Sequence, residues 1–416
     1  MVSKKEHSGP GAVSRRRFLA GSSAAAALML AGLPIGTRAA GTLKIGVLLP
    51  RSGHLALIGQ DCQRGADLAP PLLSDLGYKG IELISADTES NPDVGRTQAE
   101  KLIREGAHVL VGTFDSGTTA AVAQVAEQKG IPFVINIAAA PQITEQGYKY
   151  TFRNFPTGPM LVKDGLVLMN TLFKATGSSP KTAVLMHVND TFGTSMLNGI
   201  KALASKVGLV TEIKEYIAYD PKAKDLSVEV AKAKSVGADI HMAVTRLNDA
   251  ILMVREMVKQ RYEPMGIISP GSPGMYEGQF LKALGKYSDY AITNVPWFDP
   301  RQEMAVELGR AFTKQYPDLL FNLNTGFTFE AVLIAADAFK RAGSTNPDEL
   351  AAALRTTNLD KHVMVGGPIQ FNDKGQNVNI RSATLQNRDG LPRVVLPESS
   401  AEMAPVFPVP GWRDRG

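Results

Sequence analysis

The chain has 416 residues, room for two or three domains, and its 44% hydrophobic and 20% charged content is that of a folded globular protein rather than a disordered one. Its formal charge of +5 sits wholly in residues 1–40, where six basic residues face one acid. The rest of the chain is therefore balanced, which excludes the basic footprint of a nucleic-acid binder.

The leader carries its own signal. "SRRRFLAG" (Ser14 to Gly21) sets a twin-arginine pair before Phe18 and Leu19, followed by "AAAALMLAGLPIG" and small residues up to Ala40. This pattern predicts a twin-arginine secretion signal over residues 1–40, with the mature chain starting near Ala40 or Gly41. Its apolar run is shorter than the roughly 20 residues a membrane span needs. Cys62 is the single cysteine and has no internal disulfide partner, so it reads as a buried or half-buried thiol in the first helix.

From Thr42 onward, apolar runs of strand length alternate with amphipathic stretches. "LKIGVLLP" predicts a strand, residues 57–77 a helix, "IELISADT" a strand and "PDVGRTQAEKLIREG" a helix with Pro near its start and Gly106 at its end. "AHVLVGT", a helix over Ser116 to Lys129 closed by Gly130, and "IPFVINI" complete a first unit. After the breaker-rich "TFRNFPTGP" a second unit begins, with strands "KTAVLMHV", "ADIHMAVT" and "MGIISP" separated by helices. "AITNVPWFDP" precedes helices over about 301–316 and 325–342 and the amphipathic "NPDELAAALRTT". "VGGPIQFNDKGQNVNI" reads as a hairpin, and the Pro-rich end from Pro397 as a peripheral tail. Apolar strands alternating with helices predict parallel sheets covered on both faces, an α/β fold of two Rossmann-like units.

Enzyme signatures are missing from the sequence. It has no glycine-rich dinucleotide or phosphate loop and no G-x-S-x-G elbow, and "SPGSPG" (Ser269 to Gly274) reads as a turn. None of its six histidines forms an H-x-x-x-H pair or neighbours the cysteine, so neither a metal nor a cofactor is expected. His108, His187 and His241 fall in or beside predicted strands and read as packed histidines. The expectation is a binding protein with no catalytic residues.

Ligands of parallel α/β sheets sit at the carboxyl ends of strands, on loops entering helices. "TFDSGTT" (Thr113 to Thr119) is such a loop, and the helix start behind it offers free N–H groups and a positive dipole end to a carboxylate. Ser116 or Thr118 equally reads as a plain helix cap.

Six segments in order, "KIGVLLPRSGHLALIGQ", "AEKLIREGAHVLVGTFDSGTTAAVAQVAEQKGIPFV", "TEQGYKYTFRNFPT", "AVLMHVNDTFGTSM", "GFTFEAVLIAADAFKRAG" and "GGPIQFNDKGQN", make the chain similar to type I periplasmic solute-binding proteins of the branched-chain amino acid (Leu/Ile/Val) group, which feed ABC importers. The resemblance implies two lobes joined by three hinge crossovers: residues 41–155 with 295–360, and 156–294 with 361–396, followed by a tail over 397–416. It also implies a small-molecule ligand trapped between the lobes, an ABC permease as membrane partner, twin-arginine machinery for export, and a periplasmic location.

Carried over position by position, the resemblance places Phe114, Asp115 and Ser116 in the carboxylate-binding turn and Ala138, Ala139 and Ala140 in the second turn, where amino-acid binders usually show a hydroxyl. Phe192 matches a tyrosine that covers the ligand. Arg246 stands where an uncharged aromatic is common, and Gly271 where amino-acid binders carry a glutamate for the ammonium. With Trp297 and Phe298 as further apolar walls, these departures imply an aromatic or other apolar organic acid without an amino group, its carboxylate taken by Arg246. A branched-chain or aromatic amino acid is the alternative ligand, and a sensory subunit or an exported hydrolase are competing roles. Each residue also has a plain reading: Arg246 as a solvated charge, Phe114 and Phe192 as core, Trp297 as hinge packing. Asp115 would repel a carboxylate unless it points away.

Overall fold

The computed structural model describes residues 41–299, 301–398 and 401–415; the predicted twin-arginine leader lies outside the described residues. In chain order the first unit runs β1 (Leu43–Leu49), α1 (Ala56–Asp75), β2 (Ile81–Asp87), α2 (Pro92–Arg104), β3 (Val109–Gly112), α3 (Ser116–Lys129), β4 (Phe133–Ile135) and β5 (Thr151–Arg153). These strands form one parallel sheet in the order β2-β1-β3-β4-β5. β3 is buried at all four positions, as a central parallel strand must be, whereas the edge strand β2 is mostly half-buried. Local signals act where expected: Asn91 caps α2 with Pro92 behind it, and Gly130 closes α3 at φ 65°.

The second unit runs α4 (Gly158–Ala175), β6 (Thr182–Val188), α5 (Thr191–Leu203), β7 (Glu212–Tyr219), α6 (Ser227–Val236), β8 (Ile240–Val244), α7 (Leu247–Lys259), β9 (Ile267–Ser269), α8 (Gly278–Leu284) and β10 (Ile292–Pro296). There follow α9 (Glu303–Gln315), α10 (Leu323–Ala342), α11 (Pro347–Arg355), β11 (Asn358–Leu359), β12 (Ile369–Gln370), β13 (Ser382–Arg388) and β14 (Leu391–Leu396). The second sheet has the order β14-β13-β10-β9-β8-β6-β7. Its five parallel strands repeat the winding of the first sheet, with antiparallel β13 and β14 added at one edge. Each sheet therefore reverses direction beside its first strand, the place where such sheets open a crevice.

The chain passes between the sheets three times: after β5, between β10 and α10, and between β12 and β13. Isolated bridges tie these passages together, Arg153 to Gln376 and Phe298 to Met364. α10 belongs with the first sheet. It packs on α1 so closely that a side-chain carbon at Gly65 would stand 2.1 Å from the Thr325 carbonyl oxygen. A smaller apolar cluster, including Leu48, Leu102, Leu110, Val122 and Phe133, fills the space under α2 and α3. No helix among the described residues is long and apolar enough to cross a membrane.

The structure adds elements that periodicity passed over. Among them are β7, α6 and α8, in stretches that the sequence pattern leaves unassigned. The expected hairpin at 365–380 is only a loose pair of bridges, Gly366 to Ile380 and Phe371 to Asn377, while the regular hairpin is β13–β14, turning at Asp389–Gly390. The tail is also more than an ornament: Phe407 packs on Phe173, and the Trp412 indole donates to the Tyr262 carbonyl at 2.8 Å.

Candidate functional site

The carboxyl ends of β3 and β4 supply the first wall. Phe114 holds φ 81°, a left-handed conformation costly for an aromatic residue, and its amide donates to Asn136 Oδ1 at 3.1 Å. Asn136 in turn donates to Thr328 Oγ1 on α10 at 2.9 Å, so the turn is anchored to the neighbouring helix. The cap of α3 is Asp115, whose Oδ1 accepts from the Thr118 amide at 2.8 Å, and not Ser116 or Thr118. Asp115 thus points into its own helix; burial raises its carboxyl above the ordinary range, against the Thr118 amide and the nearby Arg246 charge. Ser116 is released from capping, and its hydroxyl accepts from the Ala140 amide at 3.2 Å. The amides of Ser116 and Gly117, in the first turn of α3, have no acceptor among the described residues.

A buried arginine shapes the second turn. Arg153 is 0% exposed and donates to the carbonyls of Ala138 (3.0 Å) and Ala140 (2.7 Å), to Thr144 Oγ1 (2.7 Å) and to Gln376 Oε1 (2.6 Å). Those four acceptors are all neutral. Burial accordingly pulls its guanidinium down to about 9, opposed only by Glu145. Ala138 sits at φ 153°, and the Ala139 carbonyl accepts from the Gly158 amide at 2.5 Å, linking this turn to α4.

The second lobe supplies the facing wall from the ends of β6, β8 and β9. Arg246 stands just before α7 and is 6% exposed, so it is no solvated charge. Its guanidinium pairs with Asp190, the cap of α5, and lies 5.0 Å from the Phe192 ring centroid. Its amide donates to Asp249 Oδ1, whose other oxygen accepts from the Tyr219 hydroxyl at 2.6 Å. Burial works against the Arg246 charge, but Asp190, Asp115 and Asp249 outweigh it and hold the guanidinium above its ordinary value. Gly271 adopts φ 141°, and a side-chain carbon there would stand 2.9 Å from Leu161 Cβ.

Between these walls lies a small cavity of about 30 Å³. Seven of the residues expected at the site line it: Phe114, Ser116, Ala138, Ala139, Phe192, Arg246 and Gly271. Four do not. Asp115 faces its helix, and the Ala140 backbone is used by Ser116 and Arg153. Trp297 packs edge-on behind Tyr276 at 5.4 Å, and Phe298 continues an aromatic stack to Phe321 in the passage to α10. Sequence reasoning missed Ile137, Phe155, Pro273, Tyr276, Val295, Leu323 and Asn324, which complete the lining. They come from strand ends, from the β9–α8 loop, from the start of α10 and from the passage after β5, where no periodicity marks a side chain as inward. Among the described residues no carboxylate lines the cavity.

Away from the cavity, His241 is fully buried against Tyr262, and Cys62 is buried with its thiol pushed up by burial.

Residues 42–389 match the periplasmic binding protein family. Leu/Ile/Val-binding protein homolog 8 of Brucella abortus (strain 2308) is 27% identical over 405 residues, spanning 92% of this chain and 97% of the relative. Among solved structures, a solute-binding protein of an ABC transporter from R. palustris in complex with benzoate superposes with a TM-score of 0.73 at 21% identity, over 88% of this chain and 98% of that one. A branched-chain amino acid transporter substrate-binding protein of Streptococcus pneumoniae in complex with isoleucine gives 0.73 at 20% identity, over 84% and 97%. The two-sheet winding and the family match over most of the length agree, and the chain belongs to the periplasmic binding protein family.

Proposed function

We propose that this protein is the substrate-binding component of an ABC importer, exported by its twin-arginine leader to the periplasm, where it captures a small aromatic or apolar carboxylate that lacks an amino group. The observation that carries this reading is the lining: a guanidinium, a serine hydroxyl and aromatic walls, with no carboxylate among the described lining residues. An ammonium enclosed there would lose water without gaining a counter-charge, a cost of several kcal/mol. A carboxylate, by contrast, meets the first-turn amides of α3, the Ser116 hydroxyl and the nearby Arg246 charge. The seat of the ligand's charge therefore shifts from Arg246, already paired with Asp190, toward the start of α3. Phe114, Phe155 and Phe192 supply flat apolar contact.

Closure of the two lobes traps the ligand without making or breaking a bond, and an ABC permease receives it. An amino-acid receptor is the second reading. It is favoured by the Leu/Ile/Val-binding relatives and by Asp115 Oδ2, a buried carboxylate oxygen with no partner among the described residues.

A thermal-shift panel of leucine, phenylalanine, benzoate and a medium-chain fatty acid separates them, because a ligand at 100 times its Kd stabilises the fold by about 2.7 kcal/mol. A shift with benzoate and none with leucine is expected. The reverse pattern rejects the acid reading in favour of the amino-acid one.

A further inference from the structure

Two polar groups on the cavity are unused by the reading above. Asn324, in the first turn of α10, is fully buried and lines the cavity, and its Oδ1 has no hydrogen-bond partner among the described residues. Its Nδ2 is committed, donating to Glu277 Oε1 at 2.9 Å. Glu277 Oε2 accepts from Asn322 Nδ2 at 3.2 Å, and that same nitrogen donates to Asp61 Oδ2 at 2.8 Å. The amide of Asn324 is therefore held by its nitrogen, with its oxygen left over. Tyr276 also lines the cavity, and its hydroxyl makes no hydrogen bond among the described residues. Its ring packs edge-on against Trp297 at 5.4 Å.

A buried acceptor without a donor is rare in folded proteins and marks a place where something else belongs. An acceptor and a phenolic hydroxyl on one cavity suit a group that both donates and accepts, and a hydroxyl does so with a single atom. A purely apolar ligand would seal both groups away unpaired.

We infer that the ligand carries, besides its carboxylate, a hydroxyl group that donates to Asn324 Oδ1 and accepts from the Tyr276 hydroxyl, making a hydroxylated aromatic or apolar acid the preferred class. The inference rests on the acid reading of the cavity. Asn324 and Tyr276 stand on α10 and on the loop between β9 and α8, apart from the α3 turn that seats the carboxylate. One end of such a molecule is thus recognised by charge and the other by a neutral hydrogen-bonding pair. Sites built to bond a hydroxyl discriminate strongly against the analogue without one, because their own polar groups are then left unpaired.

Calorimetry of the intact protein with benzoate, 3-hydroxybenzoate and 4-hydroxybenzoate tests this. At least one hydroxy acid is expected to bind about tenfold or more tightly than benzoate. Asn324→Leu should bring that ratio close to one, and Tyr276→Phe should lower it in part. Because Asn324 also holds Glu277, circular dichroism checks folding; if Asn324→Leu does not fold, the wild-type ratio and Tyr276→Phe decide. Benzoate binding as tightly as both hydroxy acids overturns the inference and leaves the acid reading standing. Leucine binding with no heat from any of the three acids overturns both.

Discussion

The Arg246 guanidinium is ion-paired with Asp190, the residue that caps α5. A cation read from the sequence as free for the ligand is thus half-spent inside its own lobe, and Asp190 competes with any acid in the cleft. Asp190→Asn keeps a cap for the Gly193 amide, because asparagine caps as well as aspartate, and releases the guanidinium. Affinity for an acid ligand should rise about fivefold, ~1 kcal/mol. Arg246→Ala should lower it by ~2 kcal/mol through loss of the remaining charge. Titration calorimetry measures both, and an unaltered Kd in Asp190→Asn would show that the two do not compete.

Arg153→Met is expected to destabilise the fold strongly. It strands the Ala138 and Ala140 carbonyls, Thr144 Oγ1 and Gln376 Oε1 in a buried site. Leaving several buried acceptors unpaired costs roughly 3 kcal/mol or more. Urea denaturation reads the loss, and a change under 1 kcal/mol would mean that water replaces the guanidinium.

Glu277 predicts a pH dependence. Burial, then the neighbouring Asp61 charge, raise its carboxyl from an ordinary 4.5 to about 8. Between those values the folded chain keeps a proton that the unfolded chain has lost. The contribution to stability is therefore complete below the ordinary value and declines as pH rises, by up to ~1.4 kcal/mol per pH unit. Glu277→Gln, which mimics the protonated form, should flatten stability between pH 5 and about 8 relative to wild type. Parallel wild-type and variant curves would place the Glu277 titration outside that window.

Gly271 blocks a simple route to ammonium binding. Gly271→Glu would put a side chain at φ 141° and within 2.9 Å of Leu161 Cβ. A loss of roughly 1–3 kcal/mol from backbone strain is expected, with no gain in leucine affinity. Leucine binding by a stable Gly271→Glu variant would show that the loop yields.

Much of the parallel core was legible because strands such as β3 are apolar throughout and helices carry local punctuation, such as Pro92 and Gly130. β7 escaped because it is an edge strand whose residues alternate with charges, "EIKEYIAY", and so lacks the buried run that marks a central strand. In the site, the lobe turns were readable as loops entering helices. Tyr276, Phe155 and Asn324 were not: they reach the cavity from the β9–α8 loop, the passage after β5 and the first turn of α10, and which way they face is set only when both sheets are in place. The pairing of Arg246 with Asp190, 56 residues apart, is likewise a product of the β6–β8 neighbourhood.

The chain contains two tryptophans, and the fold gives them opposite surroundings. Trp297 leans on cavity-lining Tyr276 in a passage between the lobes, whereas Trp412 is clamped in the second lobe by the Tyr262 carbonyl and the Arg415 side chain. Ultraviolet-excited emission is therefore expected to divide into a component next to the cleft and one remote from it. The protein should then serve as its own optical gauge of occupancy, with replacement of Trp412 by phenylalanine isolating the Trp297 signal.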